Sequence, residues 1–113
     1  MRIEIYTSDY TIPSDLFGQE NPPPGQPIEV PGSATLTYAG MTIQESAGAP
    51  DVINLIVQFV QQNLPGVGVG VFSSWLYDKL KNRDVKKVRI NRREVRLERQ
   101  EIIRIIEETT EEE

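Results

Sequence analysis

Serine, threonine, tyrosine, lysine and the carboxylates are the only side chains here that could make or break bonds. The 113 residues include neither Cys nor His. That double absence removes thiolate nucleophiles, disulfides, imidazole bases, His-based pH switching and the usual zinc sites. Ser73, Ser74 and Asp78 fall within one or two helical turns, but Ser and Asp without a base between them are not a triad. Lys79 or Lys81 could serve a Ser–Lys arrangement, and no spacing singles either out. The acidic residues show no calcium-loop spacing. Gly66, Gly68 and Gly70 alternate with valines, and a Gly-rich turn entering a helix can cradle phosphate on free amides. The run is not a dinucleotide fingerprint, lacks the Lys-Ser/Thr of a P-loop, and follows an expected helix, not a strand. Close packing of backbone on backbone is the simpler account. The expectation is a non-enzyme, with no catalytic, cofactor-binding or metal-binding residues and no cofactor.

Charge is unevenly distributed. The net charge is −5, yet residues 79–99 hold ten of the twelve basic residues against three acidic ones. Residues 1–78 carry Arg2 against eight acidic residues, and residues 100–113 carry Arg104 against six Glu. The basic block is either a solvated strand face paired with its acidic flanks or a docking surface for an acidic partner. Nucleic acid ranks below both, since the rest of the chain would repel phosphate and no base-reading motif is present. The expected partner-binding residues are Lys87, Arg89, Arg92, Arg93, Arg96 and Tyr77. Tyr77 sits about 100° around a helix from Leu76 of the core stripe, which places it at a rim; core packing is the competing account for Tyr77 and Trp75 alike.

Residues 52–77 hold no formal charge, a run of 26 that is long enough to span a bilayer. Pro65, three glycines and five Asn or Gln residues argue against insertion, because each amide would need a partner in lipid. A buried helical hairpin is the expectation. The charged start, Met1-Arg2-Ile3-Glu4-Ile5-Tyr6, lacks the apolar run of a secretory leader, so a cytoplasmic protein is expected.

The elements that must position these residues follow from periodicity. Ile3 and Ile5 alternate with polar residues and predict a strand over 2–6. Six of the eight prolines lie in residues 7–33, which predicts a Pro-rich loop with an edge-strand contact at Ile28 to Val30. Pro22-Pro23-Pro24 reads as a stiff connector, not as a ligand for a proline-reading module. Leu36, Tyr38, Met41 and Ile43 share one face if a turn falls at Ala39-Gly40, which predicts a hairpin over 34–44. Asp51 would cap a helix carrying Val52, Ile53, Ile56, Phe59 and Val60, ended by Leu64-Pro65-Gly66. A second helix would present Phe72, Trp75, Leu76 and Leu80. Val88 and Ile90, then Val95 and Leu97, alternate with charged residues. A turn centred on Arg92-Arg93 would pair Ile90 with Val95 and keep every apolar residue on one face. The alternative one residue back sets Arg93 opposite Ile90 and is disfavoured. Ile102, Ile103, Ile105 and Ile106 predict a closing amphipathic helix, with an acidic tail over 108–113.

Residues 49–107 resemble a small bacterial domain family, the effector-associated constant component type. The resemblance rests on the small-residue run from Gly66 to Gly70, Trp75-Leu76, the strands Val88-Arg89-Ile90 and Val95-Arg96-Leu97, and the helix from Glu101. The Pro-rich front departs from that pattern, where a helix would follow the first strand. The resemblance implies an adaptor that accompanies an effector in bacterial conflict or defence systems, and it carries over no catalytic residue.

The sequence therefore predicts a single α+β domain over 1–113. An antiparallel sheet of about four to five strands should pack against a helical hairpin and a C-terminal helix. The expected function is a non-catalytic interaction module with a protein partner, such as an effector enzyme. The alternatives are a membrane-acting component exposing residues 52–77, a nucleic-acid-binding accessory protein and a small hydrolase. Two exposed hairpin edges would permit homo-oligomers.

Overall fold

Strict alternation of apolar and polar residues gives β1 (Arg2–Thr7), with Ile3 and Ile5 fully enclosed. The computed structural model describes residues 1–60 and 65–112. After β1 come α1 (Ile12–Phe17), β2 (Pro27–Val30), β3 (Ala34–Thr42), β4 (Asp51–Phe59), α2 (Pro65–Leu80), β5 (Val85–Ile90), β6 (Arg93–Val95) and α3 (Arg99–Glu112). The protein is α+β. Among the described residues its sheet has six strands in the order β2-β3-β4-β1-β5-β6, and every neighbouring pair is antiparallel.

Residues 7–33 are less irregular than their prolines suggest. Pro13 lies in the first turn of α1, where its missing N–H is no loss, and Gly18 ends the helix in the left-handed region at φ 67°. Ile12, Leu16 and Phe17 join the core. The edge contact expected at Ile28 to Val30 is β2, paired with β3.

The expected helix after Asp51 is instead the strand β4, flanked by β1 and β3. Its Val and Ile residues satisfy a helical spacing and a strand alternation equally well, and the flanking ladders settle the matter. Ile53, Leu55 and Val57 face the helices. Asp51 caps no helix: its carboxylate accepts the Tyr10 hydroxyl at 2.7 Å and the Gln44 amide at 3.0 Å. The helical hairpin over 52–77 is therefore absent. Leu64, where that helix was expected to end, lies outside the described residues. Pro65 begins a helix instead of ending one.

The hairpin expected at Ala39-Gly40 is also corrected. β3 runs straight through, with Tyr38 opposite Leu55 and Met41 opposite Ile53, so Ala39 and Gly40 together face the single residue Asn54. This is a bulge, and Gly40 takes the positive φ of 88°. A bulge keeps Tyr38 and Met41 on one face as well as a turn does.

The register of the last hairpin is the one the sequence disfavoured. Ile90 pairs with Arg93 and Val88 with Val95, across a turn at Asn91-Arg92. Both turn residues have positive φ, 46° and 71°, as a type I′ turn requires. Arg93 escapes burial because it lies at the sheet rim and reaches Glu108 of α3 at 3.0 Å. α3 also continues through most of the expected tail: Thr109 is buried and its hydroxyl donates to the Ile105 carbonyl at 2.8 Å.

All three helices pack on one face of the sheet, through Leu16, Val69, Phe72, Leu76, Leu80, Ile102 and Ile106. α2 lies close to the β2–β3 turn. A Cβ on Gly32 would stand 2.4 Å from the Gly68 carbonyl oxygen, and one on Gly68 would stand 2.7 Å from the Gly32 oxygen. Part of the glycine run thus serves close packing. Among the described residues no helix packs on the opposite sheet face, which carries Arg2, Glu4, Tyr6, Lys87 and Arg89 on adjacent strands.

Candidate functional site

The open face is built around Asn54 of β4. Its side-chain amide donates to the Gly40 carbonyl at 3.2 Å and to the Thr42 hydroxyl at 3.0 Å, which fills the bulge in β3. Its side-chain oxygen accepts from the Arg2 guanidinium at 3.3 Å. The bulge on one strand therefore fixes a cation two strands away. Asn91 fixes the other side. It tolerates the left-handed turn conformation, its side-chain oxygen accepts the Arg2 backbone N–H at 2.7 Å, and its own N–H donates to the Arg2 carbonyl at 2.9 Å. Arg89 donates to the Tyr6 hydroxyl at 3.3 Å and to the Arg92 carbonyl at 3.2 Å. The Tyr6 hydrogen bond, followed by the charges of Glu4 and Glu94, raises the proton affinity of the Arg89 guanidinium further.

These residues enclose a shallow recess of about 390 Å³, lined by Arg2, Glu4, Arg89, Asn91 and Arg92. Its charge state sets it apart. Lys79, Lys81, Arg83, Lys86, Lys87, Arg93, Arg96, Arg99 and Arg104 each reach a carboxylate within 4.0 Å. Among the described residues, Arg2, Arg89 and Arg92 are the three cations that do not, and all three line this recess. The guanidinium hydrogen bonds of Arg2 and Arg89 go to neutral oxygens, so most of their donors stay available.

The six expected partner-binding residues do not form one surface. Lys87 and Arg89 lie side by side on the open face with Arg92 at its rim, and the Lys87 ammonium sits 4.4 Å from the Tyr6 ring centre. Arg93 points to the helix side, toward Glu108. Arg96 lies beyond the end of β6, beside Glu98 at 3.9 Å. Tyr77 is half-buried on α2, with the Arg99 guanidinium 5.4 Å from its ring centre. Arg2, Glu4 and Asn91 were missed. The alternation of Arg2, Glu4 and Tyr6 marks the polar face of β1, but nothing local says that β5 lies beside it.

The remaining chemical candidates are dispersed. Ser73 is fully enclosed and its hydroxyl has no hydrogen-bond partner among the described residues. Asp78 is exposed and pairs with Lys81 and Arg99 at 3.4 and 3.3 Å. Lys79 pairs with Asp15. Arg83 bridges Asp9, Thr11 and Asp15, tying the segment around α1 to the end of α2. The Asp9 carboxyl is held below its usual value, chiefly by the Thr11 hydroxyl. Among the described residues no cluster of carboxylates could hold a metal ion, and no helix is long and apolar enough to cross a membrane.

In comparisons with known proteins, no family model, no curated protein and no solved structure matches this chain.

Proposed function

We propose that this chain is a non-catalytic protein-interaction module that docks its partner on the open face of the sheet. The observation that carries this reading is the division of the sheet. Among the described residues, one face buries the apolar residues under three helices, while the other leaves a polar surface where Arg2, Arg89 and Arg92 have no carboxylate within 4.0 Å. Unpaired guanidinium groups on a rigid sheet provide pre-organised donors without a reaction centre. The bacterial resemblance at 66–70, 75–76, 88–90 and 95–97 extends the reading to an adaptor in the cytoplasm, accompanying an effector of a conflict or defence system. A membrane-acting role would require residues 52–59 to leave the centre of the sheet.

The test is co-expression with the products of neighbouring genes, followed by size-exclusion chromatography. Comigration with an effector, lost in Ile56→Lys at unchanged circular dichroism, is the expected result. Ile56 is 40% exposed on the open face. Absence of any complex, or a complex indifferent to Ile56→Lys, would refute the reading.

A further inference from the structure

The turn that forms the lip of the recess is made from an ill-suited residue. A type I′ turn is best served by Asn followed by Gly, because both positions need positive φ. Here Asn91 is followed by Arg92, held at φ 71°. A side chain with a Cβ is strained in that region, and the turn so formed puts a third arginine at a recess that Arg2 and Arg89 already line. Asn91 and Arg92 are thus two of the four non-glycine residues at positive φ among the described residues, and both line the recess.

Resting on the interaction-module reading above, we propose that the recess of Arg2, Arg89 and Arg92 binds an acidic polypeptide segment of a protein partner through its carboxylates. Charge complementarity argues for it. Three arginines and the single acidic residue Glu4 line the recess, while the nine other Lys and Arg side chains of the described residues are already paired. The planar fork of arginine matches a carboxylate with two parallel hydrogen bonds, which lysine cannot do. All three cations are arginines. Polyphosphate backbones fit less well, because acidic segments flank the basic block on both sides in sequence.

The test is fluorescence anisotropy on the full chain with a labelled oligo-glutamate peptide, alongside oligothymidylate of matched length. The native protein should bind the peptide, and more tightly as salt is lowered. The double variant Arg89→Gln/Arg92→Gln should weaken binding at least about tenfold. Arg104→Gln, which removes a cation already paired with Glu101 and Glu108, should leave it unchanged. Arg92→Gly separates function from folding. It should raise Tm by about 3 °C by relieving the turn, while weakening the peptide several-fold. Peptide affinity indifferent to Arg92→Gly and to the double variant would overturn the proposal. So would oligothymidylate binding as tightly as the peptide. Failure of the peptide to bind, alongside an intact complex sensitive to Ile56→Lys, would remove the acidic-partner chemistry and leave the interaction module standing.

Discussion

On the helix-covered side of β4, Ile53, Leu55 and Val57 are almost fully enclosed, whereas Ile56 and Gln58 in the same strand are exposed on the other side. Neighbours in one strand therefore live under different rules. The covered face is apolar and closely fitted, so its residues set stability. The open face holds Arg2, Glu4, Asn54, Lys87 and Arg89 in hydrogen-bonded and charged contacts, and its residues are free to serve recognition.

The sharpest test of that contrast is Leu55→Ala. Removing a fully enclosed side chain from the central strand should cost about 3 kcal/mol, read as a lower urea midpoint at unchanged slope. A loss comparable to that of an open-face substitution would erase the distinction between the faces. Gly32→Ala comes next. Its Cβ would strike the Gly68 oxygen and the Phe72 backbone nitrogen from a backbone at φ 96°, so destabilisation of roughly 2–3 kcal/mol is expected. Gly70→Ala should do the opposite, since a Cβ there meets nothing within 4 Å, and a helical glycine replaced by alanine gains about 0.5–1 kcal/mol. A loss of stability at Gly70 would show that α2 is covered on that side. Ile56→Thr, one residue from Leu55, should stay within about 0.5 kcal/mol of the native stability.

The smallest effect is a pH dependence at the end of β4. The Tyr10 hydroxyl, and then the Gln44 amide, hold the Asp51 carboxyl below its usual value of 3.8. The folded protein therefore binds this proton less readily than the unfolded chain. Its stabilisation is complete above the unfolded value and is lost as pH falls through the lower folded value. Tyr10→Phe should remove part of this, so the Tm gap between native and variant should narrow on acidification. A gap that stays constant with pH would rule out Asp51 as its source.

Some of these elements were legible from local pattern. β1, the β5–β6 strands and α3 carry clean alternation or helical periodicity, and each has one face that must be buried. The edge contact at Ile28 to Val30 was legible because prolines bound it. β4 was not, since Val52, Ile53, Ile56 and Phe59 fit either period, and what sets its state is the pair of strands beside it. The turn at Asn91-Arg92 was misplaced for a related reason. Keeping every apolar residue on one face is a sound rule in a sheet interior, but Arg93 sits at the rim, where a long side chain reaches Glu108 and water. At the candidate site, Lys87, Arg89 and Arg92 were found from the charge run. Arg2 was not, because it is 87 residues from Arg89 and joins it only through the pairing of β1 with β5.

By itself the sequence determined the α+β class, the absence of imidazole and thiol chemistry, and the concentration of positive charge in 79–99. Those are properties of composition and local period, fixed before any long-range contact forms. Only the tertiary structure decided which cations stay unpaired. Among the described residues, Lys81, Lys86, Arg96 and Arg104 find carboxylates two to four residues away, and Lys79, Arg83, Lys87, Arg93 and Arg99 find ones brought near by chain folding. Arg2, Arg89 and Arg92 find none within 4.0 Å, and the antiparallel ladder sets Arg2 and Arg89 on the face that no described helix covers. Charge pairing depends on distances across strands, which a linear order of residues does not contain.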